Sequence, residues 1–230
     1  MKIAIMGAMR EEIEPILESV GSYTSFDHAG NTFYECRYGD HDLVIAYSKI
    51  GKVFSAITAS VMIERFGAET LLFSGVAGGI SKELKIGDLV MASALCQHDV
   101  DITAFGHPYG FIPEGSVMVD ADRPLIALAK EVALAMGVEV KEGIIATGDQ
   151  FVASAERKHW IETTFKADAL EMEGASVACV CANFGIPFFI LRAISDSADG
   201  DAGMDFDTFL QSSAKVSARF ILEMVKRLGH

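Results

Sequence analysis

The chain has 230 residues, half of them hydrophobic, and a formal net charge of −13 at pH 7. That is apolar material for one sizeable core, and the expected organisation is a single domain over residues 1–230. The acidic balance, with no cluster of Lys and Arg, argues against nucleic acid and anionic membrane surfaces as partners, because phosphate contacts need grouped cations.

Lys2 to Ala8 reads as a first parallel strand, short and apolar throughout. A helix is expected over Arg10 to Ser19, with Glu11 and Glu12 near its N-terminus and Pro15 close to its first turn. The charges at 10–12 also interrupt any leader-like apolar run, which argues against a signal peptide. No stretch has the length of a membrane span. Phe33 to Tyr38 and Asp42 to Ser48 read as two strands joined at Gly39-Asp40-His41. Lys52 to Phe66 has helical periodicity. Thr70 to Ser74 is a buried strand running into Gly75-Val76-Ala77-Gly78-Gly79. That glycine stretch lacks the Lys-Ser/Thr of a phosphate loop and the spacing of a dinucleotide fingerprint. It has two open readings: a tight turn needing positive φ, or a backbone surface that a ligand approaches closely.

Gly87 to Val100 has a strand pattern, and Thr103 to Glu114, rich in Gly, Pro and aromatics, reads as a loop that could serve as a lid or an interface. Asp122 to Met136 is an amphipathic helix closed by Gly137. Val138 to Thr147 is a strand, Ala155 to Phe165 a helix. A further helix ends near Asn183, before Gly185 and Pro187. Asp207 to Leu228 is a closing helix with a stripe of Leu210, Ala214, Phe220, Ile221 and Met224. Strands alternate with helices throughout, which predicts an α/β fold: a three-layer α/β/α sandwich around a mixed, mostly parallel sheet. Cys36, Cys96, Cys179 and Cys181 form no C-x-x-C pair and read as reduced thiols of a cytoplasmic protein.

The stretch Ala169-Leu170-Glu171-Met172-Glu173-Gly174-Ala175 stands out, because carboxylates inside an apolar run are costly unless paired or used. The strand-like run Pro187 to Ile194 then ends in Ser195-Asp196. Ligands of α/β proteins bind at the carboxyl ends of strands, so two neighbouring strands that both end in acid point to an acidic pocket. Glu12, Glu173 and Asp196 each stand at a strand or helix junction. Singly, each reads as a helix-terminus charge or an ion pair; together they can share one rim. Glu171, two residues before Glu173 in strand register, has two readings, a share in the pocket or a pairing with a basic residue such as Arg192, of which the pairing is favoured. Asp196, Asp199 and Asp201 fail the spacing of a calcium loop. His98, Asp99 and Asp101 read as a hydrogen-bonded strand end, and no metal site or other cofactor is expected.

Seven blocks, in one order over nearly the whole chain, resemble the bacterial 5′-methylthioadenosine/S-adenosylhomocysteine nucleosidases of the purine nucleoside phosphorylase superfamily. They are Ile5 to Glu12, Ile50-Gly51-Lys52, Gly75 to Gly79, His98 to Asp101 with Thr103 to Gly106, Thr147 to Val152, Glu171-Met172-Glu173 and Arg192 to Asp196. The resemblance implies an N-glycosidic hydrolase acting as a homodimer on 5′-thioadenosines. Relatives also accept 5′-deoxyadenosine, and some aminofutalosine of menaquinone synthesis. By it, Glu12 would deprotonate the attacking water, Glu173 would bind the ribose hydroxyls, and Asp196 would protonate N7 of adenine. Phe151 would stack on the base and the Val152 backbone would bond its edge. Met9 and Met172 would pack around the ribose, with Ala8, Val76, Ala77, Gly78 and Ser195 also at the substrate. Ile50 and Phe206, with Phe105 and Pro113 of the partner subunit, would line the 5′-thioalkyl pocket. The phosphorylase relatives carry an Arg two residues before the glycine stretch and a Ser inside it, to hold phosphate. Here those places are Phe73 and Val76, which favours water as nucleophile, with Arg10 the nearby cation. The rivals are a phosphorylase and a silent nucleoside-binding protein on the same fold.

Overall fold

The computed structural model describes residues 1–198 and 202–229. Asp199 and Asp201, weighed above as a calcium loop with Asp196, lie outside the described residues. The centre of the molecule is β5 (Thr70–Gly79), buried at all ten positions. On one side it pairs in parallel with β1 (Lys2–Gly7), which pairs in parallel with β4 (His41–Tyr47). Strands β3 (Asn31–Tyr38) and β2 (Thr24–His28) continue that side as an antiparallel meander. On the other side β5 pairs in parallel with β10 (Phe188–Asp196), also buried throughout. Strands covered on both faces carry continuous apolar runs, which is how β1, β5 and β10 read in the sequence.

The remaining strands close the sheet on itself. Strand β6 (Leu89–Gln97) runs antiparallel to β10 and parallel to β8 (Val140–Thr147). The short β9 (Ala169–Glu171) is parallel to β8, and it returns antiparallel to β5 at Gly78 and Gly79. The acid-bearing strands β9 and β10 are therefore not neighbours. They flank β5 from its two sides. Strand β7 (Met118–Asp120) lies on β6.

Helices α1 (Arg10–Val20), α3 (Arg123–Met136) and α6 (Ala202–Arg227) pack together, with α6 against β5 and β10. Helices α2 (Lys52–Glu64) and α5 (Gly174–Phe184) form a second packed pair, and α4 (Ala155–Phe165) lies by β8. This is the expected α/β/α architecture. Capping explains several boundaries: Asp122 accepts from Leu125 N at 2.9 Å to start α3, and Gly137 (φ 65°) and Gly185 (φ 68°) end α3 and α5. Among the described residues no helix is long and apolar enough to cross a membrane.

Three further expectations need correction. Strand β2 was not foreseen: all five of its residues are exposed, so it has no apolar alternation, and pairing with β3 alone makes it a strand. The last helix begins at Ala202 rather than Asp207; its acidic first turn complements the helix dipole although it reads as loop. The glycine stretch is no turn: it is the end of β5, and none of Gly75, Gly78 and Gly79 has positive φ.

Candidate active site

The site is built where β1, β5, β9 and β10 end. Glu12 sits in the first turn of α1, just after β1. Its Oε2 accepts from Ala8 N at 2.5 Å and Met9 N at 3.0 Å; its Oε1 accepts from Val76 N of β5 at 3.0 Å. Three amides from two segments thus aim one carboxylate. Asp196 ends β10 just past a bulge: Ile194 is opposite Ala77 and Asp196 opposite Gly78, which leaves Ser195 as the extra residue. A bulge turns the following side chain, here toward β5. Asp196 Oδ2 accepts from Ser195 Oγ at 2.9 Å and Oδ1 from Ala198 N at 2.8 Å. Glu173 starts α5, and its Oε1 accepts from Gly51 N at 2.8 Å.

The glycines of β5 make room for these acids. A Cβ on Gly75 would stand 2.9 Å from Glu12 Oε1, and one on Gly78 would stand 2.8 Å from Asp196 Oδ1. What comes close to these glycines is the protein's own carboxylates. Behind them lies Arg192, fully buried, 4.0 Å over the Phe73 ring, with Nη2 2.7 Å from Glu171 Oε2. Glu171 also accepts from Thr147 Oγ1 at 2.5 Å and from the amides of Glu173 and Gly174 at the start of α5. The expected pairing of Glu171 with Arg192 is present, and all this bonding makes Glu171 a clamp between β8, β10 and α5.

Glu12, Glu173 and Asp196 face one cavity. Its wall also holds Ala8, Met9, Ile50, Val76, Ala77, Gly78, Phe151, Val152, Met172, Ser195 and Phe206. Every anticipated site residue is there except Phe105 and Pro113, which are exposed on the surface of this chain. Gln150, Leu170 and Glu171 line it too. Gln150 and Leu170 were missed, although each adjoins a residue singled out, Phe151 and Glu171. Phe206 reaches the cavity because α6 starts early, and its ring lies edge-on to Phe151 at 5.9 Å. Burial pushes the Glu12 carboxyl above the ordinary range, against Arg192 and its three amides. Burial and then the Glu171 charge push Glu173 up to about 8, against the Gly51 amide and Arg192.

The family model of the phosphorylase superfamily matches residues 2–226. The chain belongs to the phosphorylase superfamily. The aminodeoxyfutalosine nucleosidase of Campylobacter jejuni is 55% identical to it over 228 residues, 99% of this chain and 100% of that one. The 5′-methylthioadenosine/S-adenosylhomocysteine nucleosidase of Actinobacillus succinogenes is 39% identical over 99% of this chain and 100% of its own. The solved structure of native futalosine hydrolase of Helicobacter pylori superposes with a TM-score of 0.98 at 54% identity, covering 99% of this chain and 98% of that chain. Within the superfamily the chain is an N-glycosidic hydrolase. One expectation about its phosphorylase relatives changes. Arg10 is not the cation of the site: it is exposed and bonds Glu14 at 2.7 Å. Arg192 takes that place, and its guanidinium is committed to Glu171.

Proposed function

We propose that this superfamily member hydrolyses the N-glycosidic bond of 5′-substituted adenosines, with aminodeoxyfutalosine, 5′-methylthioadenosine and S-adenosylhomocysteine as its substrates. The observation that carries the reading is the convergence of Glu12, Glu173 and Asp196 on one cavity whose other walls are mostly apolar. Asp196 gives a proton to N7, so adenine leaves neutral while the sugar becomes an oxocarbenium-like cation. Glu12 holds a water, takes its proton, and directs the oxygen at C1′ from the face opposite the base, the inverting arrangement. Glu173 holds the ribose hydroxyls. In the free protein it resists ionisation. Hydroxyl donors and a cationic sugar favour its charged form, so the chemistry runs in the state in which Glu173 has already given its proton to solvent.

Water rather than phosphate is the nucleophile in this reading. Among the described residues the cavity wall has four acids, Glu12, Glu171, Glu173 and Asp196, and no Lys, Arg or His. A phosphate would face acid with no free cation beside it. Phe151 and the Val152 backbone hold the base, and Met9 and Met172 pack on the ribose. Ile50 and Phe151 line the cavity yet are 54% and 52% exposed, and Phe105 is 81% exposed. A homodimer in which Phe105 and Pro113 of the partner subunit complete the 5′ end belongs to the proposal. A cytoplasmic location goes with it, supported by the free thiols Cys36, Cys96, Cys179 and Cys181. The test is adenine release from the three nucleosides and 5′-deoxyadenosine, with and without phosphate. Adenine with free sugar, unchanged by phosphate, is expected; a sugar 1-phosphate, or binding without adenine release, would overturn the reading.

A further inference from the structure

Beside the cavity, three polar residues close a ring that has no part in the chemistry above. Lys52 Nζ lies 2.7 Å from Asp99 Oδ1. Asp99 Oδ2 accepts from Asp149 N at 2.9 Å, and Asp149 Oδ1 accepts from Lys52 N at 2.8 Å. Each bond of the ring joins a different pair of segments: the start of α2, the end of β6, and the loop after β8. Helix α2 needs this help. Its N-cap is Gly51, which has no side chain to accept from the first amides, so Asp149 caps it from 97 residues further along.

Two parts of the cavity hang from the ring. Gly51 holds φ 100°, ψ 161°, a backbone region that glycine alone takes readily, and a Cβ there would stand 3.0 Å from Asp149 Oδ1. In that conformation its N–H reaches Glu173 Oε1. On the other side, Asp149 opens the segment 149–154, which is neither helix nor strand and carries Gln150, Phe151 and Val152 into the cavity wall. Its placement therefore depends on bonds such as these, together with Gly148 N to Glu171 O at 3.2 Å. The Lys52 and Asp99 side chains are only 18% and 14% exposed, so solvent does not readily loosen their pair.

We infer that Lys52, Asp99 and Asp149 are positioning residues for the nucleosidase reaction: their ring sets the base-holding loop and the Gly51 amide in register with Glu173. The inference rests on the function proposed above. Misplacement near reacting groups, by a change outside the chemistry, lowers rates strongly.

Adenine release is measured for the full chain and for Asp149→Ala, Asp149→Asn and Lys52→Met, each across pH and with a thermal melt. Asp149→Ala is expected to lower kcat/KM about 10–100-fold, raising KM through the loop and lowering kcat through Glu173. Asp149→Asn keeps an acceptor for Lys52 N and restores most of the loss. Lys52→Met opens the ring and leaves the cap, giving a smaller loss of the same kind. The pH profile separates positioning from mere stability. Glu173 is faced by Glu171, Glu12 and Asp196, and by the cation Arg192; the Gly51 amide favours its charged form. Losing that amide raises the pH at which Glu173 ionises, so the ascending limb of kcat/KM moves to higher pH. A variant that is only less stable loses activity at every pH without moving the limb. Wild-type kinetics in Asp149→Ala, or a loss that Asn does not restore and that leaves the limb in place, would overturn the inference. Should Asp149→Ala not fold, unchanged kinetics in Lys52→Met would do so. A wild-type chain that released no adenine would remove the proposed function instead.

Discussion

The bonds that hold Glu12 and Asp196 bear on how they can be tested. Glu12 is ringed by main-chain donors on both oxygens, whereas a side-chain hydroxyl, that of Ser195, is among the groups that bond Asp196. Replacing Glu12 by Gln must turn an NH2 toward at least one backbone N–H, because both of its oxygens are acceptors. Leaving buried donors facing each other costs about 1–3 kcal/mol. Glu12→Gln is therefore expected to melt earlier than wild type, and to lose ~10²–10⁴ in kcat beyond what its folded fraction explains. Asp196→Asn should lose turnover to a similar extent. Single-turnover adenine release, normalised to folded protein, checks both; near-normal turnover in either variant would remove its assigned role. The sequence marked these acids by their place: each stands at a strand or helix junction, from which it can share one rim with Glu173. Gln150 and Leu170 carry no such mark. Their side chains reach the cavity only because of where the loop after β8 and strand β9 pass.

At the scale of elements, β5 does what the sequence left open. Its glycine end is an ordinary extended strand, and the missing side chains are what lets α1 and β10 bring their carboxylates against it. Gly78→Ala puts a methyl 2.8 Å from Asp196 Oδ1 and 3.0 Å from the Ala198 Cβ, so the acid has to move. A drop of about 10²-fold in kcat is expected, with a smaller change in KM. Gly79→Ala is the control: its Cβ would meet Ile194 Cγ2 at 3.2 Å and no carboxylate, so it should cost less turnover. Equal effects of the two would mean that strand packing, and not the placing of Asp196, is what the glycines protect. Buried strands and capped helices were legible because their signals are local: the apolar runs of β1 and β10, and Asp122 and Gly137 around α3. The role of the glycines was not, since a turn and a close approach leave the same letters. Nor was β2, whose exposed residues are ordered by a neighbour alone.

For the whole molecule, closing the sheet from β5 round to β9 buries several acids in one place, and folding must bear their protons. Glu173 is pushed up to about 8 and Glu12 is also raised, while an unfolded Glu ionises near ~4.3. Between those values the native state keeps a proton that the unfolded state releases, so stability falls as pH rises. His98 acts the other way: burial lowers it to about 4, so below about 6.5 the unfolded chain binds a proton that the native chain does not. Asp99, Asp101, Glu83 and Glu142 are lowered, so their effect lies in the acid range. Cys96 and Cys181 are raised to about 12 and act only above the ordinary thiol range. Across the window from about 6.5 to about 8 the buried glutamates lower stability as pH rises. The melting temperature of the ligand-free protein is expected to fall across it, and Glu173→Gln should flatten the fall. General repulsion at a net charge of −13 would also lower stability with rising pH. Salt separates the two, because it screens exposed charges and hardly reaches a carboxyl as buried as Glu173. A slope that vanishes in high salt, or that Glu173→Gln leaves unchanged, would assign the effect to the surface rather than to the acids gathered around the cavity.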